Sequence, residues 1–445
     1  MAQPAKSRGF APSSARGSGT KLQLLPPGLS SALLLCGLLA CSCKPSTPAA
    51  PECPPCQQAP AAVAPATPAT PPETPAPRTP PEPTSSSPHV TPLAVRDAKG
   101  KLPLDAARDY ADDHQPAKAL SCAAQASALY PNDVLAHTER GNALAALERY
   151  DEAKLAFTRA LAIDPDSLDA LLGAAHLYGV ALPSSREMDE LASLYAERGF
   201  DLATSQHDED TALQFAGLSA MIFNDLGQAS DALERASFVL TKHPRDADCR
   251  YEKAVALFEL CRFDEAKAAF KGLLDDADRG PHAHHHLGLL LEREGKLPEA
   301  EKHFTAARTK APDDFPAPVL LSAEDFEKEV KRIVASLPDD MRKDTRDVPI
   351  AVEDVPQTDD LTSGDPPLSP TILGLFRGPP LNEACEPADT EGGRPCRSVV
   401  VYRKNLARAV KTKDELLEQI RVTLLHEIGH LRGEDDFELA ARGLE

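Results

Sequence analysis

Hydrophobic and polar positions divide the chain into four stretches of different character. Leu29 to Ala40 is a short apolar run, and residues 45–93 show no periodic apolar pattern. From about residue 100 to 315, apolar positions recur with the spacing of amphipathic helices. After Pro316, helical patterns alternate with short runs typical of β-strands. The pattern therefore predicts an extended linker, then an α-helical domain, then a small α+β domain.

The helical stretch repeats one arrangement of small, aromatic and proline positions. The first clear copy is Gly141, Ala153, Phe157, Ala160 and Pro165, and the last is Gly288, Ala300, Phe304, Ala307 and Pro312. Between them, Ala232, Ala266 and Ala300 follow one another at intervals of 34 residues. Small residues let the two helices of a hairpin approach closely, an aromatic ring fills the gap to the next hairpin, and proline ends the second helix.

This arrangement resembles the tetratricopeptide repeat (TPR), with four clear copies. The resemblance implies an α-helical solenoid over residues 100–315, with a degenerate first copy from Ala117 to Pro131 and an irregular stretch from Leu168 to His207. The family usually binds a peptide segment or a protein partner in the groove of the solenoid. A spacer that binds nothing remains the alternative for this domain.

The α+β stretch, residues 322–445, has readable helix boundaries. Ser322 is expected to cap a helix, and the spacing of Thr412 and Glu415 predicts a capping box at the start of the last helix, which should stop at Gly433. Leu417, Ile420, Leu424 and Ile428 of that last helix are expected to face a small core. Three β-type runs lie between the two helices: Pro349 to Val352, Ile372 to Phe376 and Ser398 to Tyr402.

The last helix carries the sequence His426-Glu427-Ile428-Gly429-His430. Residues four apart share a helix face, so both imidazoles can reach one metal ion. Glu427 is rotated by about 100°, which suits a carboxylate that acts on a water without binding the metal. Asp436 lies ten residues after His426, and a sharp turn at Gly433 can bring it back as a third ligand.

The spacing His-Glu-x-x-His-x-x-Gly-x-x-Asp and the order of the surrounding segments resemble the small bacterial zincin-like metallopeptidases. The matching segments are FEKEVKRIVASLPDDMR, IAVEDVP, ILGLFRGPPL, VVVYRKNLAR and HEIGHLRGEDD. The resemblance implies one Zn²⁺ bound by His426, His430 and Asp436, with Glu427 as the general base and Asp435 as the alternative third ligand. An acidic, proline-rich insertion from Gln357 to Pro370 departs from the family pattern and is expected to lie at the rim of the domain.

The predicted chemistry is peptide-bond hydrolysis. Three protein ligands leave a zinc position open for a water, whose pKa the metal lowers to about 7. Glu427 is expected to accept the proton of that water and return it to the leaving amine. Tyr402 or Arg403 is a candidate donor to the oxyanion, although packing and a solvated charge also explain them. The competing hypothesis is a TPR scaffold whose zincin domain is inactive or structural.

The N-terminus has the form of an export signal. Lys6, Arg8, Arg16 and Lys21 precede the apolar run, which is too short to span a bilayer. Its end, Leu38-Leu39-Ala40-Cys41, resembles the lipobox of bacterial lipoproteins, with cleavage after residue 40 and lipidation of Cys41. The resemblance implies an exported chain anchored to a membrane, with the outer membrane, periplasm or cell surface favoured over the inner membrane. An ordinary cleaved signal peptide is the alternative.

Composition narrows the choice of partners. Residues 41–95 are predicted to form a Pro/Ala/Thr-rich linker, because 17 of the 42 prolines fall between residues 45 and 93.

The net charge of −20 argues against a nucleic-acid partner, which needs a basic face. His282, His284, His285 and His286 are interpreted as surface histidines at the start of a helix.

The ten cysteines fall into separate groups. An oxidising compartment permits a disulfide between Cys385 and Cys396. Cys122, Cys249 and Cys261 are predicted to be small core residues on helices.

Overall fold

The computed structural model describes residues 102–385 and 395–444. The predicted signal peptide, Cys41 and all of the predicted linker lie outside these residues. Within the described part of the chain, no helix combines the length and the apolar character needed to cross a membrane.

Twelve α-helices occupy the first part of the described chain and pack in sequence as six helical pairs. This arrangement confirms the predicted TPR solenoid. The stretch from Leu168 to His207, which the sequence marked as irregular, forms a further pair, with a π-helical turn, Leu177–Ala181, extending its first helix. The twelve helices are α1 Pro103–Asp112, α2 Pro116–Leu129, α3 Val134–Ala146, α4 Tyr150–Ile163, α5 Leu168–His176, α6 Arg186–Ser205, α7 Glu209–Asp225, α8 Ala229–Lys242, α9 Ala247–Glu259, α10 Phe263–Lys271, α11 Gly280–Arg293 and α12 Leu297–Lys310.

The repeat positions form the core of this domain. Phe157 and Phe304 are buried, and their rings lie against Gly141 and Gly288 respectively. The alanines at the helix crossings are also buried: Ala153, Ala160, Ala232, Ala266, Ala300 and Ala307. Small residues therefore occupy the helix crossings, as the sequence predicted.

The remaining elements form the small α+β domain. The strand predictions were correct to within about two residues, and the Thr412–Glu415 capping box and the Ser322 cap are both formed. One core prediction was wrong, because Leu416 is buried on the last helix and Leu417 is only half-buried. The elements are α13 Ala323–Ser336, α14 Asp339–Asp344, β1 Ile350–Glu353, α15 Thr358–Leu361, β2 Gly374–Arg377, β3 Ser398–Tyr402, α16 Arg403–Ala409, α17 Lys413–Arg432 and α18 Asp436–Ala441.

The three strands form one sheet in the order β1-β3-β2. β3 is central and buried along its length, and it pairs parallel with β1 and antiparallel with β2. α17 packs against β2 and β3 through Leu416, Ile420 and Leu424, which are fully buried. The sheet therefore supports the helix that carries the His-Glu-x-x-His motif.

The α+β domain packs against the last two pairs of repeat helices. Glu292 of α11 accepts hydrogen bonds from Arg408 (2.7 Å) and forms an ion pair with Lys404 (3.3 Å). Arg293 donates to the carbonyl of Pro356 (2.9 Å). The Ser369 hydroxyl donates to the buried carboxylate of Glu259. These contacts cover one face of the α9 and α11 ends.

Part of this contact comes from the acidic insertion. The Arg293 guanidinium donates a hydrogen bond to the Thr358 hydroxyl (3.3 Å), and the Leu368 carbonyl lies 3.8 Å from the Cys261 sulfur. The insertion was expected at the rim of the domain, but it instead joins the domain to the repeats. Composition identified a departure from the family pattern and could not show what the departing segment contacts.

The surface interpretation of the histidine cluster was wrong. His286 is buried and stacks on Phe270, with ring centroids 4.7 Å apart. His285 stacks on Phe315 of the segment between the two domains (4.6 Å). Burial lowers the pKa of His286 to about 4, so the ring is uncharged at neutral pH and packs as part of the core.

The predicted core cysteines differ from one another. Cys249 is buried on α9, whereas Cys122 on α2 is half-buried. Cys261 lies outside the helices, in the turn after α9, with a φ of 57°. The helix prediction for Cys261 was therefore wrong.

Candidate metal centre

His426 and His430 lie on one face of α17, one turn apart. Their Nε2 atoms are 3.0 Å from each other. Both side chains are about one quarter exposed, so the space in front of the two nitrogens is open to solvent.

A sharp reversal after α17 brings an aspartate to the two imidazoles. Gly433 adopts φ 92°, and the N–H groups of Glu434 and Gly433 bond to the carbonyls of Gly429 and His430, which is a Schellman motif. A side chain at residue 433 would be strained, since that φ lies in the left-handed region. Asp436 then places its Oδ1 3.1 Å from His430 Nε2 and 3.5 Å from His426 Nε2.

Asp435 has a different task from its neighbour. Its carboxylate accepts the backbone N–H of Glu438 (2.8 Å), and Glu438 reaches back to the Asp435 N–H, so the pair caps α18. Of the two adjacent aspartates considered from the sequence, Asp436 is the one beside the histidines.

Close packing between α17 and α18 maintains this reversal. Leu439 of α18 is fully buried, and its Cδ2 would lie 2.3 Å from a Cβ added at Gly429. A larger residue at position 429 would therefore require the Leu439 side chain to move from its present position between the two helices. Neither Gly429 nor Leu439 was predicted from the sequence to support the site, although Gly429 lies inside the His-Glu-x-x-His motif.

Backbone carbonyls orient both imidazoles. His426 Nδ1 lies 2.6 Å from the Leu444 carbonyl, and His430 Nδ1 lies 3.0 Å from the Glu434 carbonyl. A carbonyl only accepts hydrogen bonds, so a neutral ring keeps its proton on Nδ1 and presents an Nε2 lone pair. Sequence reasoning missed both carbonyls, because every residue type has the same backbone acceptor.

The donor set suits a zinc ion. Two Nε2 lone pairs and one carboxylate oxygen lie within 4.8 Å of one another. Neutral imidazoles oriented in this way provide no proton between their Nε2 atoms, and a shared cation relieves the repulsion of the lone pairs. Tetrahedral zinc with bonds of 2.0–2.1 Å would separate two nitrogens by about 3.3 Å, close to the observed 3.0 Å.

Glu427 lies on the same helix and is directed into the domain. Its residue is 6% exposed, and burial raises the pKa of its carboxyl to about 8. The backbone N–H of Phe376 on β2 donates to the carboxylate and opposes that rise, whereas the charge of Asp436 adds to it. Glu427 is thus a buried carboxyl group beside the group of three ligand atoms and is not part of that group.

Of the two candidate oxyanion donors, only Arg403 is engaged elsewhere. Arg403 donates to Asp354 (2.5 Å) and to the Leu321 carbonyl (3.1 Å). Tyr402 is fully buried on β3, its hydroxyl bonds to no described residue, and burial raises the pKa of that hydroxyl. The contacts of Arg403 support the ion-pair interpretation, and the burial of the Tyr402 ring supports packing.

The two loop cysteines are joined. The sulfurs of Cys385 and Cys396 are bonded, and their Cα atoms are 6.1 Å apart. The nearby backbone is tied to the ligand helix, since the Leu381 N–H donates to the Leu431 carbonyl (2.8 Å). The disulfide therefore bounds a loop adjoining the end of α17, while residues 386–394 lie outside the described chain.

Segments of both domains match known protein families. Residues 345–444 match the family described as zincin-like metallopeptidase. Residues 134–167 and 224–290 match two family models described as tetratricopeptide repeat. No curated protein matches the chain significantly.

Solved structures similar to the chain are repeat proteins. The TPR protein YrrB, described as having an unusual peptide-binding site, is 18% identical over 43% of this chain and 93% of its own, with a TM-score of 0.35. A structure of MamA protein is 17% identical over 42% of this chain and 97% of its own, with a TM-score of 0.34. From its family matches and its fold, the chain contains tetratricopeptide repeats followed by a C-terminal zincin-like metallopeptidase domain.

Proposed function

We propose that the chain is a zinc-dependent peptidase whose metal ligands are His426, His430 and Asp436. The observation that carries the proposal is the convergence of their three ligand atoms beside a buried glutamate. A purely structural metal site has no use for a carboxylate in the position of Glu427. Its presence favours hydrolysis over a metal that only stabilises the domain.

Each residue then has a defined task. When bound, zinc supplies Lewis-acid activation of water and of the peptide carbonyl. The Leu444 and Glu434 carbonyls hold the two imidazoles in the ligating orientation. Glu427 accepts the proton of the attacking water and delivers it to the leaving amine. The Phe376 N–H keeps the Glu427 carboxylate in place during both transfers.

A pair of substitutions tests the peptidase. Glu427→Gln should retain one zinc per chain and lower cleavage of a proteome-derived peptide mixture by about 10²–10⁴-fold, the usual contribution of a general base. His426→Ala should lose both zinc and cleavage. Metal analysis and mass spectrometry of the peptides give the two readouts.

Glu418→Gln is the matched control, because Glu418 is on the same helix and pairs with Arg421 at the surface. It should change neither readout. Wild-type chain that holds zinc but shows no Glu427-dependent cleavage would refute the peptidase and favour the TPR scaffold with a structural metal.

We further propose that the protein is exported from the cytoplasm and that a lipid on Cys41 anchors it to a membrane. Its support is the basic segment, the short apolar run and the Leu-Leu-Ala-Cys sequence at residues 38–41. Cys41→Ser should abolish labelling by radioactive palmitate and move the chain out of the membrane fraction. Cys43→Ser, two residues away, should change neither property.

The repeats are proposed to dock a protein partner or the substrate. The contacts of Glu292 and Arg293 with the peptidase domain favour the earlier repeats, α1 to α8, as the docking region. Binding of a protein partner or substrate to the full chain should therefore protect these earlier helices from hydrogen exchange. Protection confined to α9–α12 would contradict this assignment.

A further inference from the structure

One edge of the sheet in the peptidase domain is open. β1 is an outer strand, and Ile350 lies opposite Val399 of β3. The Val399 N–H donates to the Pro349 carbonyl, so Pro349 and Ala351 face β3. Ile350 and Val352 therefore direct their backbone groups to the other side, where no described residue bonds to them.

A groove runs beside this open edge. Its volume is about 590 Å³, and α13 and α14 form its opposite wall. Its apolar lining is Val330, Val334, Ala335, Ile350 and Val352. Hydrogen-bonding groups of the strand and an apolar channel thus lie side by side, which is the arrangement that an added β-strand needs.

The rim of the groove is basic. Lys331, Arg342 and Arg346 border it, against one acidic residue, Glu327. Lys331 pairs with Glu327 and Arg342 pairs with Asp339, whereas the exposed guanidinium of Arg346 pairs with no described residue. In a chain with a net charge of −20, this unpaired cation at the rim favours an anionic partner.

We propose that this groove binds an extended acidic segment of a partner protein as a strand added to β1. Alternate side chains of a strand point to opposite sides. Apolar residues of the segment would enter the channel while a carboxylate of the segment meets Arg346. β2, whose Phe376 contacts Glu427, is the opposite edge of the sheet, so docking at β1 is separate from cleavage.

The test uses the purified full chain in mild detergent and a fluorescein-labelled decapeptide of alternating valine and aspartate. The peptide should bind with a dissociation constant below about 100 µM in fluorescence anisotropy. The corresponding valine–lysine peptide should bind at least tenfold more weakly. Equal binding of the two peptides, or no binding of the acidic one at 1 mM, would overturn the proposal.

Two substitutions test the contacts separately. Val352→Pro removes an outward N–H, which proline tolerates on an edge strand, and also replaces one apolar side chain of the groove with another. It should weaken binding at least tenfold. Arg346→Glu should do the same by charge reversal. Lys328→Glu, on α13 but outside the groove, should leave the affinity unchanged.

Circular dichroism and zinc content, both expected to match the wild type, check the fold and the metal site. If Val352→Pro does not fold, Arg346→Glu decides the question alone. Wild-type affinity in a folded Arg346→Glu chain would exclude the groove as the binding site. Because the readout is binding, an inactive peptidase does not affect this test.

Discussion

Both domains bury carboxylates, but the surroundings of those carboxylates differ. In the repeats, Asp189, Asp225 and Glu252 lie between α6, α7 and α9, and burial raises the pKa of each. Polar contacts within the repeats satisfy part of this cluster, such as the Asn224 amide on Glu252 (2.9 Å). In the peptidase domain, Glu427 is about as buried as Glu252 and lies beside three convergent ligand atoms.

The comparison shows that a raised pKa alone does not identify a reactive site. Asp225 and Glu427 both have raised pKa values, at about 7 and about 8. Only Glu427 adjoins lone pairs that a metal can bring together. Four experiments separate the two kinds of carboxylate, or the domains that contain them.

The two adjacent aspartates should differ most. Asp436→Ala should weaken zinc binding by more than about 100-fold, because loss of a ligand should exceed the 10–100-fold typical of groups that support ligands. Asp435→Ala should remove a helix cap at a cost of about 1 kcal/mol and leave the zinc affinity within tenfold. Competition with a chromophoric chelator measures both affinities, and the reverse ranking would make Asp435 the ligand.

Separating the domains should have the next largest effect. Glu292→Ala leaves Arg408 without its buried partner, although Lys404 keeps Asp354, and should cost about 3 kcal/mol in the free energy of unfolding. Glu294→Ala is the control, because Glu294 pairs with Lys267 and Lys296 at the surface. It should cost less than about 1 kcal/mol in the free energy of unfolding. Equal losses in urea unfolding would mean that the Glu292 contact contributes nothing special.

Removing the Leu444 carbonyl should affect the metal site alone. A chain that ends after Arg442 should bind zinc about 10–100-fold more weakly, because His426 loses the acceptor of its Nδ1–H. Leu444→Ala keeps the carbonyl and should weaken binding much less. An affinity within twofold of wild type in the shortened chain would show that His426 needs no such support.

The repeat carboxylates should reveal themselves through pH. Burial raises the pKa of Asp225 from 3.8 to about 7, and Glu252 and Asp189 add to the rise. The resulting stability is fully present below pH 3.8 and is lost as the pH rises through about 7. Between pH 5 and 8, the free energy of unfolding should therefore fall by roughly 2 kcal/mol more in the wild type than in Asp225→Asn.

Asp231→Asn, an exposed change on α8, is the control and should follow the wild-type pH profile. Thermal unfolding at four pH values measures the effect. Parallel profiles for wild type and Asp225→Asn would show that Asp225 is ionised in the folded protein at pH 5.

The sequence was most informative where side-chain identity determines structure. Phe157 and Ala160 predicted the repeat because only certain sizes fit a helix crossing. The spacing of His426 and His430 predicted one shared helix face. The supporting carbonyl of Leu444 could not be predicted, because a backbone acceptor has no residue signature and its position depends on the folded C-terminal segment.

The histidine cluster shows the opposite error. A run of polar residues suggested a solvent-exposed surface, yet His285 stacks on Phe315 from the segment between the domains. Helix periodicity gave no sign that another part of the chain covers that face. Tertiary contacts of this kind were the main cause of the failed sequence predictions.

The contact between Glu292 and the α16 cations also bears on how such a protein can be rebuilt or recombined. Grafting the peptidase domain onto a different repeat array would transfer Arg408 without its acid, whereas Lys404 would keep Asp354. A chimera that preserves the Arg408 contact must therefore carry α11 along with the α+β domain. The exchange boundary that preserves this contact lies inside the repeats, before Gly280, and not in the connecting segment near residue 316.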